Sequence, residues 1–318
     1  MTGPGTGVDA VVTGRVGVDL YPAETELRKP LREIDHYDRS VGGFAGNVAT
    51  GMARLGVAVA IASRVGDDGH GEYVRDWLAG QGVDVRWLAT DPEYRTPVTF
   101  CEIWPPDRFP ITFSRHPTCP DWRLELEDLD TEAVARAPML VASGTALARE
   151  PSRTTTLELM RRHGGRTVFD LDHRPVLWTG AGADYADLAM AACREADIVI
   201  GNVDELAAAT GEPEEEAAAS AVRGQGPGLV VAKRGPEGSA VYDGSGVVVA
   251  KGFEVEVVNG LGAGDAFAAA FCVTLLRGGE PAEASRLGNA AGALVAAAIP
   301  CSAAMPTIEE ILALADEG

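Results

Sequence analysis

At 318 residues, 46% of them hydrophobic, the chain is long enough to bury a large core as one α/β domain or two smaller ones. Its 27 basic and 47 acidic residues leave a formal net charge of −20, which argues against nucleic acid or an anionic membrane as partner and requires a local arginine or lysine cluster for any anionic substrate. No stretch reaches the roughly 20 apolar residues of a membrane span, Met1–Gly7 lacks the basic and apolar regions of a signal peptide, and Cys101, Cys119, Cys193, Cys272 and Cys301 are scattered outside any metal-ligand spacing, so a cytoplasmic protein with reduced, packed thiols is expected.

Val8–Val12 opens as a short strand, and Gly14–Leu20 carries it into a loop. Asp19 ends that apolar stretch; at the carboxyl end of a parallel strand it suits sugar hydroxyls, with an ordinary turn-forming aspartate as the alternative. Gly42-Gly43-Phe44-Ala45-Gly46-Asn47 then leads into a helical pattern from Val48 closed by Gly56. The glycine pair lets backbone approach a polyol and the Asn47 amide can donate and accept; the plainer reading is a helix entry with Asn47 as cap.

Val57–Ser63 reads as a strand, and Val65–Gly71 as a turn before an amphipathic helix over Glu72–Gly80. Val98–Trp104 and Phe109–Phe113 flank Pro105-Pro106-Asp107-Arg108 as a β-hairpin, with Pro110 marking an edge, and such an insertion between βα units suits a lid. Arg115 follows it, placed either to clamp a carboxylate in bidentate fashion or to stand in solvent.

From Met139 onward strands and helices alternate, which predicts a largely parallel sheet covered on both faces. The expected strands are 139–142, 167–171, 198–200, 229–232 and 240–242, with helices over 151–163 and 185–196. Asp170-Leu171-Asp172-His173-Arg174-Pro175 leaves a strand end with two acids and an arginine. Asn202 and Glu205 open a helix, either as a capping box or as organisers of water and Mg²⁺ around a nucleotide. Lys233-Arg234-Gly235-Pro236-Glu237-Gly238 suits nucleotide phosphates or ribose, and equally a hairpin.

Phe253–Val257 alternates apolar and charged residues and reads as a strand. The turn Asn259-Gly260-Leu261-Gly262-Ala263-Gly264-Asp265 then feeds a buried helix over Ala266–Leu276. Free amides at a helix N-terminus hold an anion, and a carboxylate facing them can take a hydroxyl proton, the pairing that phosphoryl transfer to an alcohol needs. The alternative is a plain turn whose aspartate favours the helix dipole. A further helix over Ala284–Ala298 contains Asn289, and no Gly-x-x-x-x-Gly-Lys-[Ser/Thr] loop occurs. Without repeats or linkers, residues 1–318 read as one domain with lid elements from about 14–40 and 96–115.

Gly42–Ala49 with Gly56 and Gly66, Gly262-Ala263-Gly264-Asp265 far downstream, and Asn202-x-x-Glu205 between them resemble the ribokinase, or PfkB, family of carbohydrate kinases over about residues 8–310. The resemblance implies a ribokinase-like three-layer α/β sandwich with a small β lid, and ATP- and Mg²⁺-dependent phosphorylation of a sugar hydroxyl. It implies Asp265 as base and Gly262, Ala263 and Gly264 as anion hole; Asp19, Gly42, Gly43 and Asn47 against the sugar; Asn202 and Glu205 around Mg²⁺; and Lys233, Gly235 and Asn289 in the nucleotide region. Where the family has Asp-Thr before the glycine loop this chain has Asn259-Gly260, a departure that touches any monovalent-cation site there and leaves the base intact.

Gly14–Leu20, Ser143–Ala148 and Asp170–Trp178 resemble the branch of that family acting on 5-dehydro-2-deoxy-D-gluconate in myo-inositol breakdown, and the last is also similar to kinases of 2-keto-3-deoxygluconate. Both are six-carbon keto acids, which suits Arg174 and Arg115 as carboxylate partners. The expectation is transfer of the γ-phosphoryl of ATP to the primary hydroxyl of the first acid. The alternatives are 2-keto-3-deoxygluconate, fructose, ribose or a nucleoside on the same machinery, and, from another class, a catalytically silent sugar- or nucleotide-binding relative. A homodimer through exposed lid edges stands beside a monomer.

Overall fold

The computed structural model describes residues 7–317; Met1–Thr6, which form most of the stretch read as lacking a signal peptide, and Gly318 lie outside the described residues. Thirteen strands are described: β1 (Ala10–Thr13), β2 (Gly17–Pro22), β3 (Tyr37–Gly42), β4 (Val59–Gly66), β5 (Leu88–Asp91), β6 (Val98–Cys101), β7 (Ile111–Ser114), β8 (Met139–Ser143), β9 (Arg166–Asp170), β10 (Ile198–Asn202), β11 (Leu229–Lys233), β12 (Ser239–Tyr242) and β13 (Val247–Ala250). Nine of them form one sheet in the order β13-β12-β11-β10-β9-β8-β1-β4-β5, parallel except for the β11-β12-β13 edge. The chain runs outward from β1 through β4 and β5, then returns to β8 on the other side of β1. The strand order therefore reverses between β1 and β8, and in such sheets ligands gather beyond the carboxyl ends of the strands at that reversal.

Adjacent residues in the central strands face opposite layers. Val12, Val141, Ile200 and Val231 pack under the helices Phe44–Arg54, Ala263–Leu276 and Pro281–Ala296. Val11, Leu140, Val199 and Val230 pack under Ser152–Arg162, Tyr185–Cys193, Val203–Thr210 and Glu215–Arg223. Burial on both faces is why these strands read as unbroken apolar runs. Residues Ala266–Val273 are buried all round, as expected of a helix enclosed by two others and the sheet.

The remaining four strands form a separate sheet in the order β3-β2-β6-β7. The expected hairpin is present as β6 and β7, paired from Val98↔Ser114 to Cys101↔Ile111, with β7 at the edge. Gly14–Leu20 departs from its reading as a loop: Gly17–Pro22 is a strand between β3 and β6, and β3 carries no apolar alternation that would announce it.

Phe253–Val257 makes no strand. Its alternation of burial is kept, but the neighbouring backbone amides of Val258 and Asn259 donate to Ala296 O of the adjacent helix, and the sheet ends at β13. The pattern recorded a half-buried extended segment, and a ladder partner was what the pattern could not supply. The helix after Gly43 begins at Phe44, so Asn47 lies inside its first turn instead of capping it.

Candidate active site

A cavity lies between the carboxyl ends of the main strands and the inner face of the four-stranded sheet. One wall starts at the glycine loop. Gly262 caps the helix Ala263–Leu276 with φ 80°, and a Cβ there would meet Cys301 Cβ at 2.6 Å, so both conformation and space demand glycine. A Cβ on Gly264 would lie 3.2 Å from Lys233 Nζ, which brings that ammonium against the helix N-terminus. Unpaired amides, the helix dipole and the ammonium together favour an anion at this point.

Asp265, in the first turn, lines the cavity, and its Oδ2 accepts from Asn47 Nδ2 at 2.7 Å. Asn47 is fixed in turn, its Oδ1 accepting from Ser302 Oγ at 2.6 Å. Burial, and then the charge of Asp172, push the Asp265 carboxyl up to about 6 against the pull of Asn47, Arg174 and Lys233. That leaves a carboxylate near neutral pH, more basic than an exposed aspartate.

Behind it stands a charged cluster on the loop after β9. Asp172, at φ 29°, accepts from Thr145 Oγ1 at 2.5 Å and from Arg15 Nη2 at 3.1 Å, and its Oδ1 lies 3.3 Å from Arg174 Nε. Burial opposes its charge, but Arg15 and Arg174 outweigh that and hold the carboxyl below the usual range. Lys233 Nζ meets Asp170 Oδ2 at 2.9 Å. Burial raises Asp170, assisted by Glu205 and Asp172 against Lys233, while burial of Lys233 is more than offset by the Asp170 carboxylate, so its ammonium is held above its ordinary range.

The other wall belongs to the four-stranded sheet. Asp19 on β2 is paired across the ladder with Ser40, and a Cβ on Gly42 would fall 2.0 Å from Asp19 Oδ2, so that glycine makes room for the carboxylate. Gly43, at φ 85°, lets the turn close on Arg15 O. Burial raises the Asp19 carboxyl against a hydrogen bond from Thr99. Tyr21, Cys101, Ile111 and Phe113 complete this wall.

Asp19, Gly43, Asn47, Arg174, Gly262 and Asp265, all singled out in the sequence, thus converge on one cavity. Arg115 does not join them as a free clamp. Its Nη1 and Nη2 meet Asp121 Oδ1 and Oδ2 at 2.8 Å each, so its bidentate face is already filled by a buried carboxylate of this chain. Asn202 and Glu205 form the capping box, with Glu205 N donating to Asn202 Oδ1 and Asn202 N donating to Glu205 Oε2, both at 2.8 Å, and Glu205 Oε1 also takes His173 N. Asn289 spends its amide hydrogens on Ala250 O and Lys251 O, tying down the end of β13, and Gly235 sits at the exposed turn between β11 and β12. Arg15, Thr145 and Cys301 were not named as site residues, and Asp172 was noted as one of two acids in its loop without a role; a buried cation paired across more than a hundred residues leaves no local signal beyond its place just after a strand.

Sheet, glycine loop and carboxylate define an α/β phosphotransferase of ribokinase-like fold. The chain belongs to the pfkB family of carbohydrate kinases, whose model matches residues 9–308. It is 35% identical to the 5-dehydro-2-deoxygluconokinase of Shouchella clausii, covering 97% of this chain and 96% of that one, and 34% identical to the 5-dehydro-2-deoxygluconokinase of Bacillus subtilis, covering 95% and 94%. Among solved structures it resembles a fructokinase from Vibrio cholerae bound to fructose, ADP and a calcium ion, with a TM-score of 0.85, 27% identity, and coverage of 97% of this chain and 99% of that one.

Proposed function

We propose that this carbohydrate kinase transfers the γ-phosphoryl of ATP to the primary hydroxyl of 5-dehydro-2-deoxy-D-gluconate, a step of myo-inositol breakdown in the cytoplasm. The observation that carries the reading is the charge layout of the cavity, where Asp265 faces the helix N-terminus while Arg174 supplies a cation for a substrate carboxylate. The names of the relatives point to the same substrate.

Asp19, with Gly42 and Gly43 giving it room, and Asn47 hold the sugar hydroxyls. Asp265 accepts the proton of the primary hydroxyl as its oxygen attacks, and Asn47 keeps that carboxylate aimed. The amides of Gly262, Ala263 and Gly264, backed by Lys233, stabilise charge on the moving phosphoryl group. Gly235 and Asn289 border the nucleotide. Mg²⁺, when bound, neutralises phosphate charge; the oxygen donors of Asn202 and Glu205 suit its water shell, each keeping a lone pair beyond the capping box. A monovalent cation beside the glycine loop would meet Asn259, whose Oδ1 already accepts from Leu261 N. The chain works as one domain with the four-stranded sheet as lid, excluding water from the transfer. The open edges at β3 and β7 offer a homodimer contact.

An ADP-release assay with Mg·ATP against 5-dehydro-2-deoxygluconate, 2-keto-3-deoxygluconate, fructose, ribose and adenosine tests the reading. Turnover is expected on the first acid at a kcat/KM at least tenfold above every other compound. Preference for a neutral sugar or nucleoside would discard the substrate while leaving the kinase.

A further inference from the structure

Arg15 occupies the reversal of the main sheet. It stands one glycine beyond β1, Thr145 one glycine beyond β8, and Arg15 Nε donates to Thr145 Oγ1 at 2.8 Å across the gap between the two strand ends. The residue is only 7% exposed, yet it lines the cavity beside Arg174 and Asp19. A buried guanidinium is expensive unless its hydrogen bonds and charge are met. Here Nε is met by Thr145 and Nη2 by Asp172 at 3.1 Å, while Nη1 has no partner among the described residues. On its open side the guanidinium carbon lies 5.6 Å from the ring centroid of Phe113, on β7 of the opposite wall.

We propose that Arg15 is a specificity-determining residue that binds the substrate carboxylate together with Arg174, in the role for which Arg115 is unavailable. This rests on the keto-acid reading above. Asp172 is the hinge of the arrangement, since one strained, fully paired carboxylate holds Arg15 Nη2 and Arg174 Nε at once. Both arginines lean on that single carboxylate, and Arg15 Nη1 is left for an incoming acceptor. Asp19 and Asp265 line the same cavity as acceptors suited to hydroxyls. A sugar acid is thereby oriented, carboxylate toward the arginines and hydroxyl toward the base. The fixed Nε and Nη2 leave Arg15 little rotamer freedom to lose on binding, which is the advantage of a planar fork over a lysine at such a position.

Calorimetry on the full chain with 5-dehydro-2-deoxygluconate and with its C1 amide, a neutral near-isostere, isolates the carboxylate contact. The native protein is expected to prefer the acid at least tenfold. Arg15→Met should bring that preference below threefold while binding of the amide and KM for ATP stay within about threefold. Arg15→Lys keeps the charge but lacks the fork, and should lose three- to tenfold of the preference; it also serves if the methionine variant does not fold. Equal weakening of acid and amide in both variants, or an undiminished preference, overturns the role of Arg15. A native protein with no preference for the acid overturns the keto-acid reading and this inference with it.

Discussion

The two walls of the cavity differ in what they contribute. On the wall built by strand-end loops and the glycine loop, charged groups are coupled through Asp172, Asp170, Lys233, Arg174 and Asp265. On the four-stranded sheet, Asp19 is the one charged side chain lining the cavity among the described residues, set among Tyr21, Thr99, Cys101, Ile111 and Phe113. Loops at the ends of a buried parallel sheet are rigid enough to hold charges at fixed separations, whereas the smaller sheet, in the proposed lid role, would supply shape and exclude water. Damage to the base and the glycine loop should therefore appear in turnover, and damage to the four-stranded sheet in substrate affinity.

The largest expected effect is on Asp265. Asp265→Asn should lower kcat about 10²–10⁴-fold with sugar and ATP binding retained, measured by single turnover and calorimetry. In the native enzyme kcat/KM should fall tenfold per unit as pH drops below about 6, because the base is then protonated. The stability sign is opposite. The folded carboxyl titrates above its unfolded value of 3.8, so its charged form costs stability above about pH 6 and that cost fades as pH falls toward 3.8. Asp265→Asn should thus raise Tm at pH 8 and lose that advantage at pH 4; an inactive variant with lowered Tm at pH 8 would mean that lost structure, and not a lost base, explains the inactivity.

Gly42→Ala tests the second wall. The new Cβ would fall 2.0 Å from Asp19 Oδ2 and must displace it. KM for the sugar should rise roughly 10- to 100-fold, the scale of one or two lost charge-assisted hydrogen bonds, with KM for ATP unchanged. A change in kcat alone would dissolve the division between the walls.

The smallest effect on recognition is expected at Arg115. Arg115→Met leaves Asp121, which also accepts from Val16 N, buried without its cation, at a cost of about 3 kcal/mol. Chemical denaturation should register that loss, while the preference for the acid over its amide stays within about twofold. Collapse of the preference would return Arg115 to the site and weaken the case for Arg15.

Much of this was legible in the sequence where the signal is local. Glycine before a helix of small apolar residues, an aspartate one turn in, apolar strand runs, and a hairpin around two prolines each declare themselves within about ten residues, because backbone sterics and amide exposure act over that distance. The capping-box reading of Asn202 and Glu205 was legible for the same reason, and the structure forms it. What only the tertiary structure decided was pairing. Alternation in Phe253–Val257 met no ladder, while Gly17–Pro22 gained two strand neighbours. Two arginines of the same type beside the same cavity received opposite assignments: Arg115 found Asp121 six residues away, and Arg15 found Asp172 across 157 residues. A guanidinium's partner depends on which strand ends the sheet order brings together, and that order is a property of the packed layers, not of any window of the chain.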